Sequence, residues 1–323
     1  MIKNYLKIAV RHFLRHRVFT LLNLSSLALG MTCCLLILLW VQDDFSVDRF
    51  HENDGELYAV VNRGKYGSDY ITSQGAPPAL ANALETEYAD IVKASRVLRA
   101  EAFQVRSGDT VIRQRYYAVD PQFLEMFSFG LETGDRATAL DDPLSILMTR
   151  EVARRIFGDA NPMGRTVEID NRFSFTVTGI LEEVPLNSSF RFECLIPFQA
   201  MGMLWNDQAY LTRWKNWNSQ TYVMTVPGAD HKALSALIKD RINEANGSDE
   251  AQLSLKPFRD LYLYGVTTGT GRISSIILYA ILGAIILGIA CVNYMNLATA
   301  RSTLRAREIG LRKVIGAYKK DII

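Results

Sequence analysis

The chain has 323 residues, is 49% hydrophobic and carries a formal net charge of +2, figures that taken alone fit one soluble enzyme or a pair of domains. The distribution of charge excludes that uniform picture. Residues 1–41 and 273–323 together hold twelve Lys and Arg against two acidic residues, whereas 42–272 hold 24 against 32, so ends at +10 enclose a middle at −8.

Residues 1–17 place Ile2, Leu6, Ala9 and Phe13 on one helical stripe and Lys3, Lys7, Arg11 and Arg15 on another, the pattern of an amphipathic helix lying in a membrane interface. His12 and His16 extend its basic side or, four residues apart, suggest a metal pair. Residues 18–41 are then free of charge, preceded by five basic residues and followed at once by Asp43 and Asp44. That is long enough to cross a bilayer. A cleaved secretory signal is the alternative, but its apolar core spans only ~7–15 residues and ends in small residues rather than Trp40-Val41-Gln42.

The middle, 42–272, is large enough for one core or two smaller subdomains. Three of the four cysteines, Cys33, Cys34 and Cys291, lie in apolar segments, which leaves Cys194 alone here and no disulfide framework. Strands are expected at 56–62, 92–99, 144–148, 192–196, 220–226 and 251–257, with hairpins at 103–114 and 166–181 turning over Ser107-Gly108-Asp109 and Asp170-Asn171. Short helices are expected from Pro77-Pro78 to Glu87, from Asp120-Pro121 to Met126, from a Thr149 cap to Gly158, and from an Asp230 cap to near Gly247. Mixed strands and helices in this order imply an α+β extracytoplasmic domain inserted between two transmembrane α-helices.

Residues 273–300 form the second charge-free run, 28 residues or about 42 Å of helix. Ala280, Ala284 and Gly288 recur every four residues, as do Ser26 and Gly30 in the first run, a spacing that lets helices approach closely. Asn23, Asn293 and Asn296 bond between helices or simply mark the polar interface. Positive flanks at both runs put both chain ends in the cytoplasm and the middle outside. After Ala300, Arg301, Arg305, Glu308 and Arg312 share one helical face, with Arg307 and Lys313 adding charge. Leu304, Leu311 and Ile315 form a second, apolar face. Gly310 reads as a bend or a close backbone contact, and Gly316 as the helix stop. The simplest reading of this segment is a basic anchor that holds topology.

Chemical motifs are sparse. No G-x-x-x-x-G-K-[ST] phosphate loop occurs, so ATP hydrolysis is not expected on this chain. His51-Glu52 lacks the second histidine of a zinc helix and reads as a solvated turn. Asp159 and Asn161 lack the glutamate of a calcium loop, and Asn187-Ser188-Ser189 fits a glycosylation acceptor. Trp205, Trp214 and Trp217 suit either an aromatic platform or local packing. Neither metal nor cofactor is expected, and no nucleic acid partner.

The segment NYMNLATARSTLRAREIGLRKVIGA, Asn293 to Ala317, resembles the MacB/FtsX-type family of bacterial ABC-transporter permeases, in which a membrane helix runs into an R-x-R-E-I-G-L-R-K-x-x-G-A coupling segment. SVDRFHENDGELYAVV, APPALANALETEY, AVDPQFLEMFSFGLETGD, MTREVARRIFGDANPMGRTVEI and FTVTGILEEVPLNSSFRFECLIPF look like successive blocks of that family's periplasmic core domain. The resemblance implies a multi-pass inner-membrane permease with its large domain in the periplasm. It further implies docking of a cytoplasmic ABC ATPase subunit on Arg301, Arg305, Arg307, Glu308, Gly310, Arg312, Lys313 and Gly316. Contact with membrane lipid, a dimeric or pseudo-dimeric assembly and mechanotransmission to a periplasmic substrate or client follow with it. Family members carry further membrane helices after this segment, so the chain looks like the N-terminal part of a longer permease. The rival class is a two-span sensor with a periplasmic ligand-binding domain. A third possibility is an anchored enzyme, for which no catalytic constellation is found.

Overall fold

A computed structural model describes residues 17–315, except 67, 68, 100, 101, 250 and 268. The interfacial helix expected at 1–17, apart from Arg17, and the stop at Gly316 lie outside those residues. The chain divides into two compact units, one running from Asp44 to Ile273 and the other made of the residues before and after it.

The membrane unit holds α1 (Arg17–Ser46) as far as Asp43 and α9 (Ile273–Val314) from Ser274 onward, helices that carry apolar stretches at Leu24–Ser46 and Ile273–Asn296. Both leave most of their large apolar side chains uncovered in this chain. That is the solution a low-dielectric surrounding requires, since a helix satisfies its own backbone and needs no water.

The outer unit is built on one mixed sheet. In chain order its elements are β1 (Leu57–Tyr66), β2 (Asp69–Ser73), β3 (Gly75–Ala76), α2 (Leu80–Glu87), β4 (Ile91–Arg99), β5 (Phe103–Ser107), β6 (Thr110–Gln114), β7 (Tyr116–Val119), α3 (Phe123–Met126) and β8 (Leu131–Thr133). They continue as β9 (Ser145–Thr149), α4 (Arg150–Phe157), β10 (Thr166–Ile169), β11 (Phe173–Leu181), β12 (Cys194–Pro197), α5 (Ala200–Leu204), β13 (Ser219–Thr225), α6 (His231–Ile238), α7 (Arg241–Asn246), β14 (Ala251–Pro257) and α8 (Phe258–Tyr264). The main strand order is β14-β1-β13-β4-β7-β12-β9-β11-β10-β5-β6. Pairing is antiparallel except for β9 with β11 and β7 with β12. A parallel pair needs a crossover, and α4 supplies the one between β9 and β11.

Local chemistry explains several of these elements. The Thr149 hydroxyl accepts the Val152 N–H to open α4, and Gly158 closes it at φ 61°. Asp170 and Asn171 turn the β10–β11 hairpin at φ 50° and 55°, a region these two residue types tolerate. Elsewhere tertiary bonding overrules the local signal. Asp120 does not cap α3. Its carboxylate accepts the Arg96 backbone N–H at 2.7 Å and the guanidinium Nε at 2.9 Å, and the residue before α3 is Gln122, without a side-chain bond. The single helix expected after Asp230 is two, because the Lys239 carbonyl leaves the helix to accept Leu253 N–H of β14 at 2.8 Å.

Three buried clusters follow the sheet. One lies around α4 and α5 with Ile146, Phe175, Val177 and Ile196, and another beneath α2, α6 and α7 with Leu80, Leu84, Val223 and Leu253. The third lies on the opposite face of the sheet, since Leu147 and Leu195 belong to it while their strand neighbours Ile146 and Ile196 belong to the first, and it is aromatic: Phe123, Phe127, Phe129, Phe190, Phe192, Tyr222 and Phe258. Each such ring contributes roughly 1.5–3 kcal/mol by burial.

Candidate functional site

Within the membrane unit, α1 and α9 run antiparallel. Asn293 Nδ2 donates to Ser26 Oγ at 2.9 Å, and Trp40 meets Tyr279 edge-on at 5.1 Å. Between these pairs, a Cβ built on Gly30 would stand 2.7 Å from that of Ala290, and one on Gly283 would stand 3.2 Å from Ile37 Cδ1. Gly30 is therefore small because a neighbouring helix occupies the space. Among the described residues of α9 the buried positions are Ile276, Gly283 and Ala290, a seven-residue repeat that keeps one seam facing its partner.

Ser26 and Gly30 thus lie on this seam, whereas Ala280, Ala284 and Gly288 are exposed and face away from it. Gly288 has nothing within 4 Å of a built Cβ and, with Ile285, Ile289, Val292, Asn293 and Asn296, lines a shallow groove.

Beyond the apolar stretch, α9 continues without a break. Arg301, Arg305, Arg307, Glu308, Gly310, Arg312 and Lys313 all fall on its backbone, and the first, second, fourth and sixth of these share a face by helical spacing. Gly310 makes no close contact: nothing lies within 4 Å of a Cβ built on it, and the helix runs on to Val314. Leu311 and Ile315 are 65% and 79% exposed, so these two apolar positions are uncovered in the chain.

At the root of the outer unit one carboxylate gathers two distant segments. Asp44 Oδ1 accepts the Tyr262 hydroxyl at 2.8 Å, and Oδ2 stands 3.6 Å from Arg272 Nε. Asn187 Nδ2 donates to the Ser46 carbonyl at 3.1 Å, and the Asp48 N–H to the Asn187 carbonyl at 2.8 Å. Burial pushes the Asp48 carboxyl up, and its bonds from Ser189 oppose that shift.

His51 is not a solvated turn residue. Its ring is buried among Phe50, Phe127, Phe129 and Phe258, with Nδ1 accepting the Ser128 N–H at 3.1 Å. Burial lowers its pKa to about 4, which keeps the imidazole neutral. The turn itself is present; no periodicity signal reports that it folds inward. Among the described residues no cluster of His, Cys, Asp and Glu could hold a metal ion.

The three tryptophans form no common platform. Trp205 packs edge-on against Tyr210, while the Arg241 guanidinium lies 4.7 Å over the Trp214 ring. Trp214 and Arg241 do border a groove of about 700 Å³ with Ala83, Arg96, Met203 and Leu211. Both cations there are already paired, Arg96 with Asp120 and Arg241 with Glu87, so the groove presents an electrostatically balanced wall.

A family model described as the MacB-like periplasmic core domain matches residues 20–241. The macrolide export ATP-binding/permease protein MacB of Neisseria gonorrhoeae is 26% identical over 231 residues, 67% of this chain and 32% of that protein. The pyoverdine export ATP-binding/permease protein PvdT of Pseudomonas aeruginosa is 24% identical over 287 residues, 82% of this chain and 40% of that one. The chain therefore spans about a third to two fifths of the length of these relatives. A solved domain from Porphyromonas gingivalis, titled as part of a permease protein, shares the fold at a TM-score of 0.56 and 22% identity, covering 65% of this chain and 92% of that one.

Proposed function

This chain belongs to the family defined by the MacB-like periplasmic core domain, and from that premise we propose that it is a permease component of an ABC transporter in the bacterial inner membrane. Residues 42–272 stand in the periplasm, 18–41 and 273–300 cross the bilayer, and the segment from Arg301 onward lies in the cytoplasm. A separate cytoplasmic ATPase subunit hydrolyses ATP. Its closure displaces the coupling segment, and the outer domain changes shape to act on a periplasmic substrate or client. The working permease is multi-pass and dimeric or pseudo-dimeric.

What carries this reading is α9, one unbroken helix of 42 residues that joins the apolar span to the basic segment. Such a helix is roughly 63 Å long, and the hydrocarbon core takes up about 30 Å of it, so a stiff rod reaches well into the cytoplasm. Exposed Leu311 and Ile315 beside that charged face suit a protein partner better than a free tail, which would need no apolar positions. Arg301, Arg305, Arg307, Glu308, Gly310, Arg312, Lys313 and Gly316 form the docking set. Ser26 and Gly30 pack the two helices of this chain, and Ala280, Ala284 and Gly288 offer a close-approach face to further helices of the assembled permease.

Glu308→Lys in the full-length complex tests the reading. Any helical ion pair Glu308 makes with Arg312 is worth only about 0.3–0.5 kcal/mol, so membrane insertion and the outer fold stay intact. Recovery of the ATPase subunit with the permease falls, and its hydrolysis is uncoupled from transport or client activation. Wild-type recovery and activity would instead identify the segment as a basic anchor, because the change adds positive charge on the cytoplasmic side.

A further inference from the structure

We propose that the groove of about 700 Å³ in the outer unit binds an uncharged, extended stretch of peptide belonging to the periplasmic client. That the peptide is a client's rests on the function proposed above, whereas the recognition itself needs only the outer unit.

One wall is a single helical face. Ala79, Asn82, Ala83 and Thr86 succeed one another at helical spacing along α2 and the residue before it, so they point the same way. The facing wall combines Gln199 and Met203, at the start and in the body of α5, with Leu211 and Thr212 of the 3₁₀ turn Gln208–Thr212. The two walls are bonded to each other. The Arg213 carbonyl accepts the Ala79 N–H at 3.3 Å. Arg96, its side chain 14% exposed, donates through Nη1 to the Leu211 carbonyl at 3.3 Å and the Pro78 carbonyl at 3.5 Å. A groove fixed in this way gives up little freedom when it is filled.

The charged groups of the lining are satisfied within the chain. The remaining Arg96 donors, Nε and Nη2, go to the Asp120 carboxylate, and Glu87 receives the Arg241 guanidinium on both oxygens. An ionic ligand would therefore lose its water without meeting a free countercharge. The neutral groups are the ones left open. Among the described residues, the side-chain amides of Asn82, Gln199 and Gln208 have no hydrogen-bond partner, and each carries both a donor and an acceptor. Thr86 and Thr212 donate their hydroxyl hydrogens to the carbonyls of Asn82 and Ala209, which turns their oxygens to the groove as acceptors.

A peptide main chain presents the matching pattern, one donor and one acceptor at each residue. Between the amides, Ala79, Ala83, Leu211 and the adaptable Met203 offer apolar contact to its side chains. A saccharide, the other neutral ligand rich in hydrogen bonds, calls for an open aromatic face. Trp214 is the one ring on the lining among the described residues, and it is already engaged by the Arg241 guanidinium at 4.7 Å and by the core beneath α2.

The test is photo-cross-linking to the full chain, reconstituted in phosphatidylethanolamine–phosphatidylglycerol nanodiscs. The probe is a library of acetylated, amidated heptapeptides of Ala, Val, Leu, Ser, Thr, Asn and Gln around a central photo-leucine. A matched library carries Lys or Asp beside that centre. The uncharged library should label residues 79–86 and 199–212, located by mass spectrometry, and the charged one should label them roughly tenfold less. Asn82→Ala, Gln199→Ala and Gln208→Ala combined, at positions exposed enough to leave the circular dichroism unchanged, should lower the labelling roughly tenfold. Excess maltoheptaose should leave it unaltered. Absence of labelling on these walls, equal labelling by the charged library, or undiminished labelling of the triple variant overturns the proposal. Competition by maltoheptaose also overturns it, by assigning the groove to a saccharide. Each of these failures leaves the permease reading standing, because recovery of the ATPase subunit with Glu308→Lys is read separately.

Discussion

The two units of this chain place their apolar residues in opposite ways. In the outer unit, Phe127, Phe190, Tyr222 and Phe258 are enclosed by one another within the chain itself. In the membrane unit, α1 and α9 bury little beyond one seam, at Gly30 on one helix and Ile276, Gly283 and Ala290 on the other, and leave Leu35, Leu36, Ile281 and Ile285 open. The outer domain carries its own solvent exclusion, whereas the helix pair borrows it from its surroundings. Stability should accordingly respond to core truncation in the first and to close approach in the second.

The largest expected effect lies in the aromatic core. Phe127→Ala should cost about 3–5 kcal/mol of outer-domain stability, because the enclosing rings cannot collapse into the space. Leu36→Ala, at a position 61% exposed on α1, should change it by less than ~0.5 kcal/mol. Chemical denaturation of the purified chain, followed by aromatic circular dichroism, measures both. Equal losses would break the contrast.

A somewhat smaller effect should appear with acid. The His51 pKa falls from an ordinary ~6.5 in the unfolded chain to about 4 when folded, so unfolding takes up a proton between those values. The stability contributed by the neutral ring is complete above about pH 6.5 and is lost as the pH falls toward 4, on the order of 3 kcal/mol in all. His51→Leu should remove that acid-side slope from the unfolding midpoint, and retention of the full slope would assign it to other groups.

The smallest effect belongs to the helix seam. A Cβ on Gly283 would stand 3.7 Å from Ile37 Cβ, within the 3.5–4.5 Å typical of disulfides. Ile37→Cys with Gly283→Cys, in a chain lacking the other membrane cysteines, should cross-link readily under mild oxidant. Gly30→Val should slow that cross-linking, since overpacking at the Ala290 contact costs roughly 1–3 kcal/mol. An unchanged rate would mean that the helices do not need the close approach.

Short-range chemistry and composition account for one part of this architecture. Charge-free runs with a basic flank on one side mark the two apolar helices, Thr149 and Gly158 bracket α4, and Asp170-Asn171 turns the β10–β11 hairpin. Each depends on residues a few positions apart, so spacing alone reveals it. Tertiary structure decided which of the possible partners each group took. Asp120 turned from a helix end to Arg96, the Lys239 carbonyl left its helix for β14, His51 folded into an aromatic core, and the Ala280, Ala284 and Gly288 stripe faced away from α1 while Gly283 and Ala290 faced it. In each case the local sequence left more than one partner open. Contacts tens to hundreds of residues away in sequence, which no pattern along the chain encodes, supplied the difference.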